Sequence, residues 1–333
     1  STPMNKDIMA IQYSFSKLFD VEWRKTMQTL HCNQSQLLIG SRLRPQIVLW
    51  GYLTCVDTSK ELALPEVSYL AVSIELIHKA SLLLDDWIDD DTARHGENAF
   101  HIDYGAHSAV MMAMLMVTEA LNRLTKTQFP DTDNYECLET IIRTAKAMTC
   151  GALEELSLDK GTQFDYEINK RIALLETAEI ISCSLLLGHS LCENKNSELN
   201  AILSKIGELC GFLFQTLNDL ESFSHAAKNK QYKGKENYDF NRYRKNLVVS
   251  RLYGLLSKKE KAILLKADNP DDVEKLLCKY KVIELTMREM EIVFDEIINL
   301  ISCAQRYGAT YTWSIGFAEF MHMLKKTAYE RLT

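Results

Sequence analysis

The sequence predicts an all-α protein, and three observations carry that prediction. Apolar residues recur at helical spacing, three and four apart, over most of the chain. Only five Pro and thirteen Gly punctuate 333 residues, too few for the frequent turns of a β-rich fold. Alternating β-branched segments bounded by turn dipeptides are scarce. With no internal repeat or low-complexity segment, residues 1–333 are expected to form one helical domain around a large core. Ser1-Thr2-Pro3, ahead of Met4, looks like an expression scar.

Composition narrows the function. A net charge of −7, from 38 basic and 45 acidic residues, leaves no overall basic field to recruit nucleic acid. The nine Cys are odd in number, scattered and never paired as CxxC. They suit small core hydrophobes in a reducing compartment, with the cytoplasm as default location. The longest apolar run, Ala109 to Val117, is well short of the roughly 18 to 20 residues that span a bilayer.

In order, Lys6 to Leu30 carries Ile8, Ile11, Phe15, Leu18, Phe19, Val21 and Trp23 at amphipathic spacing. Ile39-Gly40-Ser41-Arg42-Leu43-Arg44-Pro45 is a turn ahead of a helix from Gln46 to Cys55, placing two Arg at a helix N-terminus, where an anion is favoured. Pro65 opens a helix through Val67, Leu70, Ile74 and Ile77 to Leu84, and Arg94-His95-Gly96 ends it. Further helices are expected over Ala99 to Leu124, Tyr135 to Leu156, Tyr166 to Leu191, Ser197 to about Ser222, Leu247 to Leu265, Asp271 to Leu300 and Tyr311 to Leu332. The Met stripe Met111, Met112, Met114 and Met116 reads as core or subunit contact. Thr125 to Asn134 is a polar connection, and Lys228 to Lys245 a basic loop with little to bury.

The chain is organised around Leu84-Asp85-Asp86-Trp87-Ile88-Asp89-Asp90-Asp91, five carboxylates behind an apolar run. On a helix Asp85, Asp86 and Asp89 fall toward one side, and His78 lies about two turns before Asp85 on the same face. Carboxylates gathered at the end of a buried segment repel unless cations sit among them, so the group reads as a hard-metal site, magnesium first. A solvated acidic patch is the plain alternative. A second polar cluster, Phe214-Gln215-Thr216-Leu217-Asn218-Asp219, again ends an apolar run. Two acidic clusters, facing Arg and His, and a basic loop suit the departure of an allylic diphosphate, whose leaving charge needs metal ions and cations.

These residues resemble a known family. Asp85-Asp86-Trp87-Ile88-Asp89 followed by Arg94-His95-Gly96 resembles the first aspartate-rich motif, DDxxD with a downstream RRG, of the trans-isoprenyl diphosphate synthases, or polyprenyl synthetases. Gly40 to Pro45 is similar to that family's GKxxRP element, and His78 to its substrate-binding His. Phe214 to Asp219 resembles FQxxDD, and Gly234-Lys235 with Asp239 the GKxxxD lid. The resemblance implies an all-α isoprenoid synthase bundle around a central cavity, a homodimer, and elongation of an allylic prenyl diphosphate with isopentenyl diphosphate through three Mg2+ ions. It assigns Asp85, Asp86 and Asp89 to two ions and Asp219, with Gln215 nearby, to the third. Arg94 and Lys235 would grip the allylic diphosphate; Arg44 and His78 would hold isopentenyl diphosphate.

The departures from the family pattern bear on product. Ser41 stands where the family has Lys, His95 where it has a second Arg, and Glu176 where it has the Lys of a KT element. Asn218-Asp219-Leu220-Glu221-Ser222 keeps one aspartate of the second DDxxD, and Gly151-Ala152 lacks the Gln of a GQ pair. Each lost charge-assisted contact costs about 1.5 to 3 kcal/mol, though Lys228, Lys230 or Lys233 could substitute. Ionisation is therefore better provided for than elongation. Isoprenyl transfer is the leading expectation; a terpene synthase with the same fold, and a weakly active regulatory partner subunit, are the alternatives. Small Ala80 and Ser81 before Asp85 permit a product longer than fifteen carbons.

Overall fold

Helical spacing becomes helix almost throughout the computed structural model, which describes residues 6–32, 34–127, 131–193, 195–224, 243–266 and 269–333. In chain order the helices are α1 (Lys6–Thr29), α2 (Ser35–Leu38), α3 (Leu43–Tyr52), α4 (Leu64–Ile88), α5 (Phe100–Tyr104), α6 (Ala106–Thr125), α7 (Asp131–Leu156) and α8 (Tyr166–Ala173). There follow α9 (Glu179–His189), α10 (Ser197–Glu221), α11 (Leu247–Leu255), α12 (Lys258–Leu265), α13 (Pro270–Lys279), α14 (Val282–Cys303) and α15 (Tyr311–Glu330). A π-helical turn, Leu174–Ala178, joins α8 to α9. The strands among the described residues are β1 (Ala93–Arg94) and β2 (Glu97–Asn98), an antiparallel hairpin.

Several helices end where the sequence pattern does not, each for a local reason. α4 stops at Ile88, six residues before Arg94, because Asp90 takes the left-handed conformation with φ 56°. His95 and Gly96, at φ 51° and 78°, instead form the tight turn of the hairpin, where two successive positive φ values are required. Gly105, at φ 85°, divides the expected helix 99–124 into α5 and α6. The span 247–265 breaks before Ser257, whose side chain caps α12 in a capping box with Glu260. The span 271–300 breaks at Lys281, with φ 52°.

The chain gathers into two units: residues 1–146, 180–207 and 300–321 in the first, and residues 147–179, 208–299 and 322–333 in the second. In the first, α4 is buried along Val67, Leu70, Ala71 and Ile74, and α6 meets it with Ala109, Ala113, Met116 and Ala120. Ser73 Oγ donates to the Ala120 carbonyl at 3.2 Å. Of the Met stripe, Met116 is core while Met111 and Met114 are exposed. α3 packs backbone to backbone on α9, because a Cβ on Gly188 would lie 1.8 Å from the Val48 carbonyl oxygen, and one on Gly51 2.1 Å from that of Leu185. Trp50 is fully buried against Phe317 and Phe320, and its carbonyl accepts from Trp313 Nε1 at 2.8 Å.

The second unit buries Leu213, Leu217, Leu220, Val248, Val249 and Leu252. Asn169 Nδ2 donates to Ser250 Oγ at 2.8 Å, and Phe164 packs on Tyr253 with ring centroids 5.3 Å apart. Residues 64–88 and 166–189 are long and apolar enough to cross a membrane, yet 72% and 67% of their apolar windows are buried inside the protein, as expected of core helices.

Candidate active site

In the first unit the site grows from the C-terminal end of α4. Pro65 in its first turn starts the helix, and Val67, Leu70, Ile74 and Ile77 bury it. Its last turn carries Asp85 and Asp86, with Asp89 as the C-cap. The negative end of the helix dipole disfavours carboxylates there, so their charge must be met by cations. Arg94 on β1 meets it: Nε and Nη2 donate to the two oxygens of Asp86, both at 2.7 Å. Burial opposes the Arg94 charge, but the Asp86 bonds and the fields of Asp86, Asp85 and Asp91 outweigh it and hold the guanidinium above its ordinary value. Asp86 is buried, whereas Asp85 and Asp89, one turn apart, are of intermediate exposure.

Two turns earlier, Arg44 Nη1 donates to His78 Nε2 at 3.2 Å. Burial, then the charges of Arg44, Lys79, Arg94 and Arg42, push His78 well below the usual imidazole value, so it is neutral and free to accept. Arg44 sits in the first turn of α3 and Arg42 at its N-cap, in the left-handed conformation with φ 59°. Arg42 is held at 3.6 Å from Glu75, bonded to the Leu38 carbonyl, and laid over Phe19 and Trp23. Of the two arginines expected at this helix start, Arg42 is thus fastened into the scaffold, and Arg44 is the one paired with the candidate substrate histidine.

Lys79, which the sequence does not single out, is 3% exposed and donates to the Ile39 carbonyl. Burial pushes its ammonium down to about 8, with Glu75 opposing and Arg42, Arg94 and Arg44 adding to the fall. A cleft beside it is lined by Leu37, Lys79, Leu82, Leu83, Asp86, Arg94 and Phe100.

In the second unit Gln215 and Asp219 stand one turn apart on α10. Gln215 Nε2 donates to Asp219 Oδ1 at 2.9 Å, and Thr177, on the π-helical turn, donates to Gln215 Oε1 at 3.1 Å. The backbone N–H of Leu247 donates to Asp219 Oδ2 at 2.8 Å, so this buried carboxylate also seats the N-terminus of α11. Asn246 adds Nδ2 to the Asp219 carbonyl at 3.2 Å. Glu176 is on the same π-helical turn, where Gly151 admits it: a Cβ on Gly151 would lie 2.8 Å from Glu176 Cγ. Such turns recur at functional sites because they re-aim side chains.

Lys235, Lys228, Lys230, Lys233 and Asp239 lie outside the described residues. Arg244 and Lys245, counted with that basic stretch, reach buried Glu155 at 3.5 and 2.7 Å. Among the described residues no three His, Cys, Asp or Glu side chains are grouped closely enough to hold a metal ion. Magnesium needs no such cage, since it keeps water and takes phosphate oxygens alongside one or two carboxylates. Asp85 and Asp89, hard oxygen donors one turn apart, fit that demand, while Asp86 is engaged by Arg94.

A long all-α chain with aspartates at the end of a buried helix has the build of an isoprenoid synthase, and comparison with solved structures agrees. Geranylgeranyl pyrophosphate synthetase from Pyrococcus horikoshii superposes with a TM-score of 0.77 at 21% identity, covering 95% of this chain and 97% of that one. The polyprenyl synthetase family model matches residues 28–282. The chain belongs to the polyprenyl synthetase family. A farnesyl diphosphate synthase of Buchnera aphidicola is 28% identical over 214 residues, 61% of this chain and 71% of that protein. A geranylgeranyl diphosphate synthase of Methanosarcina mazei is 26% identical over 186 residues, 54% of each. The chain thus spans about half the length of some curated relatives.

Proposed function

We propose that this protein is a magnesium-dependent isoprenyl transferase that ionises an allylic prenyl diphosphate and adds the resulting carbocation to isopentenyl diphosphate or another acceptor. The observation that carries this is the end of α4, where Asp85 and Asp89 stand one turn apart beside the bonded Asp86–Arg94 pair. Asp85, Asp86, Asp89 and Asp219 are the magnesium-holding candidates, three ions being the number the family resemblance implies. Magnesium, when bound, neutralises the diphosphate as the allylic C–O bond breaks. The residues of the chain do the rest. Arg94, shared between Asp86 and the leaving group, holds positive charge where negative charge accumulates. Arg44 orients the second diphosphate, and neutral His78 fixes the Arg44 fork. Leu82 and Leu83 line the cleft beside Asp86 and Arg94 with apolar surface, which shelters the cation from water. The homodimer belongs to the same proposal.

One observation favours a second reading, a terpene synthase. Both oxygens of Asp219 accept from protein groups, and its neighbour Asn218 is uncharged, so the second cluster carries fewer carboxylates than the first.

Geranyl, farnesyl and geranylgeranyl diphosphate, each with and without isopentenyl diphosphate, separate the readings. Transfer predicts longer diphosphates only when isopentenyl diphosphate is present. Hydrocarbons or alcohols released regardless of it establish the second reading, and no turnover with any substrate leaves a modulatory partner subunit. Asp85→Ala is expected to lower turnover by at least about a hundredfold; near-wild-type rates in that variant would remove the acidic run from the mechanism.

A further inference from the structure

Lys79 is a buried ammonium with little to justify its burial. Placing a lysine charge out of water costs several kcal/mol unless strong partners compensate. Its hydrogen-bond acceptor in the structure is a neutral one, the Ile39 carbonyl. The charged groups that act on it most are one carboxylate, Glu75, and three guanidiniums, Arg42, Arg94 and Arg44. Glu75 is shared, since Arg42 lies 3.6 Å from it. Asp86, across the cleft, has both oxygens taken by Arg94. The groups that act on Lys79 itself are thus three guanidiniums against one shared carboxylate, and Arg44 Nε is buried without a hydrogen-bond partner. A cluster of this kind is completed by a multiply charged anion.

The position of the ammonium says which one. A Cβ on Gly40 would lie 3.1 Å from Lys79 Nζ, so the lysine reaches from α4 to the loop backbone immediately before Ser41. Ser41 is exposed and too short to bring charge to that spot. Lys79 follows His78, the Arg44 partner, and lines the same cleft as Arg94. We propose that Lys79 supplies, from the helix side, the ammonium that the loop bearing Ser41 lacks, and binds the diphosphate of the five-carbon substrate, isopentenyl diphosphate. The assignment rests on the transferase function proposed above. A phosphate oxygen takes the place of the Ile39 carbonyl as acceptor and turns a neutral hydrogen bond into a charge-assisted one.

The test uses the full chain with Lys79→Gln, Lys79→Arg and the double variant Ser41→Lys/Lys79→Gln, each checked for folding by circular dichroism. Binding of isopentenyl diphosphate and of inorganic diphosphate is measured by calorimetry without magnesium, and KM for each substrate with it. Lys79→Gln should weaken isopentenyl diphosphate about tenfold to a hundredfold, the equivalent of one charge-assisted contact, with the allylic KM changed less than about threefold. Lys79→Arg should keep most of the affinity, and Ser41→Lys should restore it to within about threefold of the wild type. Equal weakening of both substrates, unchanged affinity, or no rescue overturns the proposal. Should Lys79→Gln not fold, acetylation of Lys79 in the native chain decides: protection by saturating isopentenyl diphosphate supports the assignment, and no protection ends it. A chain that binds isopentenyl diphosphate through Lys79 yet turns nothing over would retain this inference while the transferase function fell. One that elongates allylic diphosphates with isopentenyl diphosphate but whose Lys79→Gln variant binds it unchanged would do the reverse.

Discussion

The carboxylate of Asp219 receives Gln215 on one oxygen and the Leu247 N–H on the other, so its removal strands two donors as well as a candidate metal ligand. Asp219→Ala should therefore cost about 1 to 3 kcal/mol in a urea titration, beyond any loss of turnover, whereas Asp219→Asn, which keeps an acceptor, should lose activity with a smaller shift of midpoint. Cys55, beyond the end of α3, offers a pH test. Hydrogen bonding with Cys192, then with His189 and Thr54, outweighs burial and holds its thiol below the ordinary value, while burial alone pushes Cys32 up to about 11. A lowered value means thiolate at lower pH, so iodoacetamide labelling of Cys55, followed by mass spectrometry of the peptide, should level off by about pH 8. An ordinary thiol, with a value of about 8.5, would still be climbing there. Neither feature is written locally: Cys55 and Cys192 are 137 positions apart by their numbers, and a lysine beside His78 carries no sign of burial until the loop at Ile39 closes on it. By contrast Arg44, His78 and Asp85 were legible, because helical spacing alone puts His78 and Asp85 on one face.

Among the elements, glycines separate the tightly packed from the open. Gly188→Ala drives a methyl into the Val48 carbonyl and should lower stability by about 3 kcal/mol; Gly254→Ala, in α11 with nothing within 4 Å of the new Cβ, should raise it by about 0.5 to 1 kcal/mol. Thermal melts of the two variants side by side check both signs. Element types were readable because an amphipathic period survives any particular packing. Their ends were not, since Lys281 takes a left-handed conformation that other residue types favour more. The π-helical turn at Leu174–Ala178 leaves no mark on the periodicity, yet it carries both Glu176 and Thr177.

At the scale of the whole molecule, the grouping of acids bears on metal dependence. Magnesium held by one or two carboxylates and completed by phosphate oxygens binds weakly without its diphosphate, so a chelator should leave the melting temperature within about 1 °C. Magnesium together with inorganic diphosphate should raise it by several degrees, since ligand at about a hundred times its Kd adds about 2.7 kcal/mol, while either alone should do less. A rise with magnesium alone would point to a preformed cage. The all-α class and the family followed from composition and ordered motifs; the pairing of Asp86 with Arg94 needed the hairpin, whose two-residue strands are too short to announce themselves. The backbone contact of α3 with α9 has a consequence for aim. Gly51 and Gly188 leave the two helices no cushion, so α3 rests on α9 as a workpiece rests on a datum face: any slip by a residue brings a side chain into a carbonyl. Arg44 stands seven residues from Gly51, about 10 Å up that helix. The direction in which this arginine points is thus held true, two turns away, by side chains that are single hydrogen atoms.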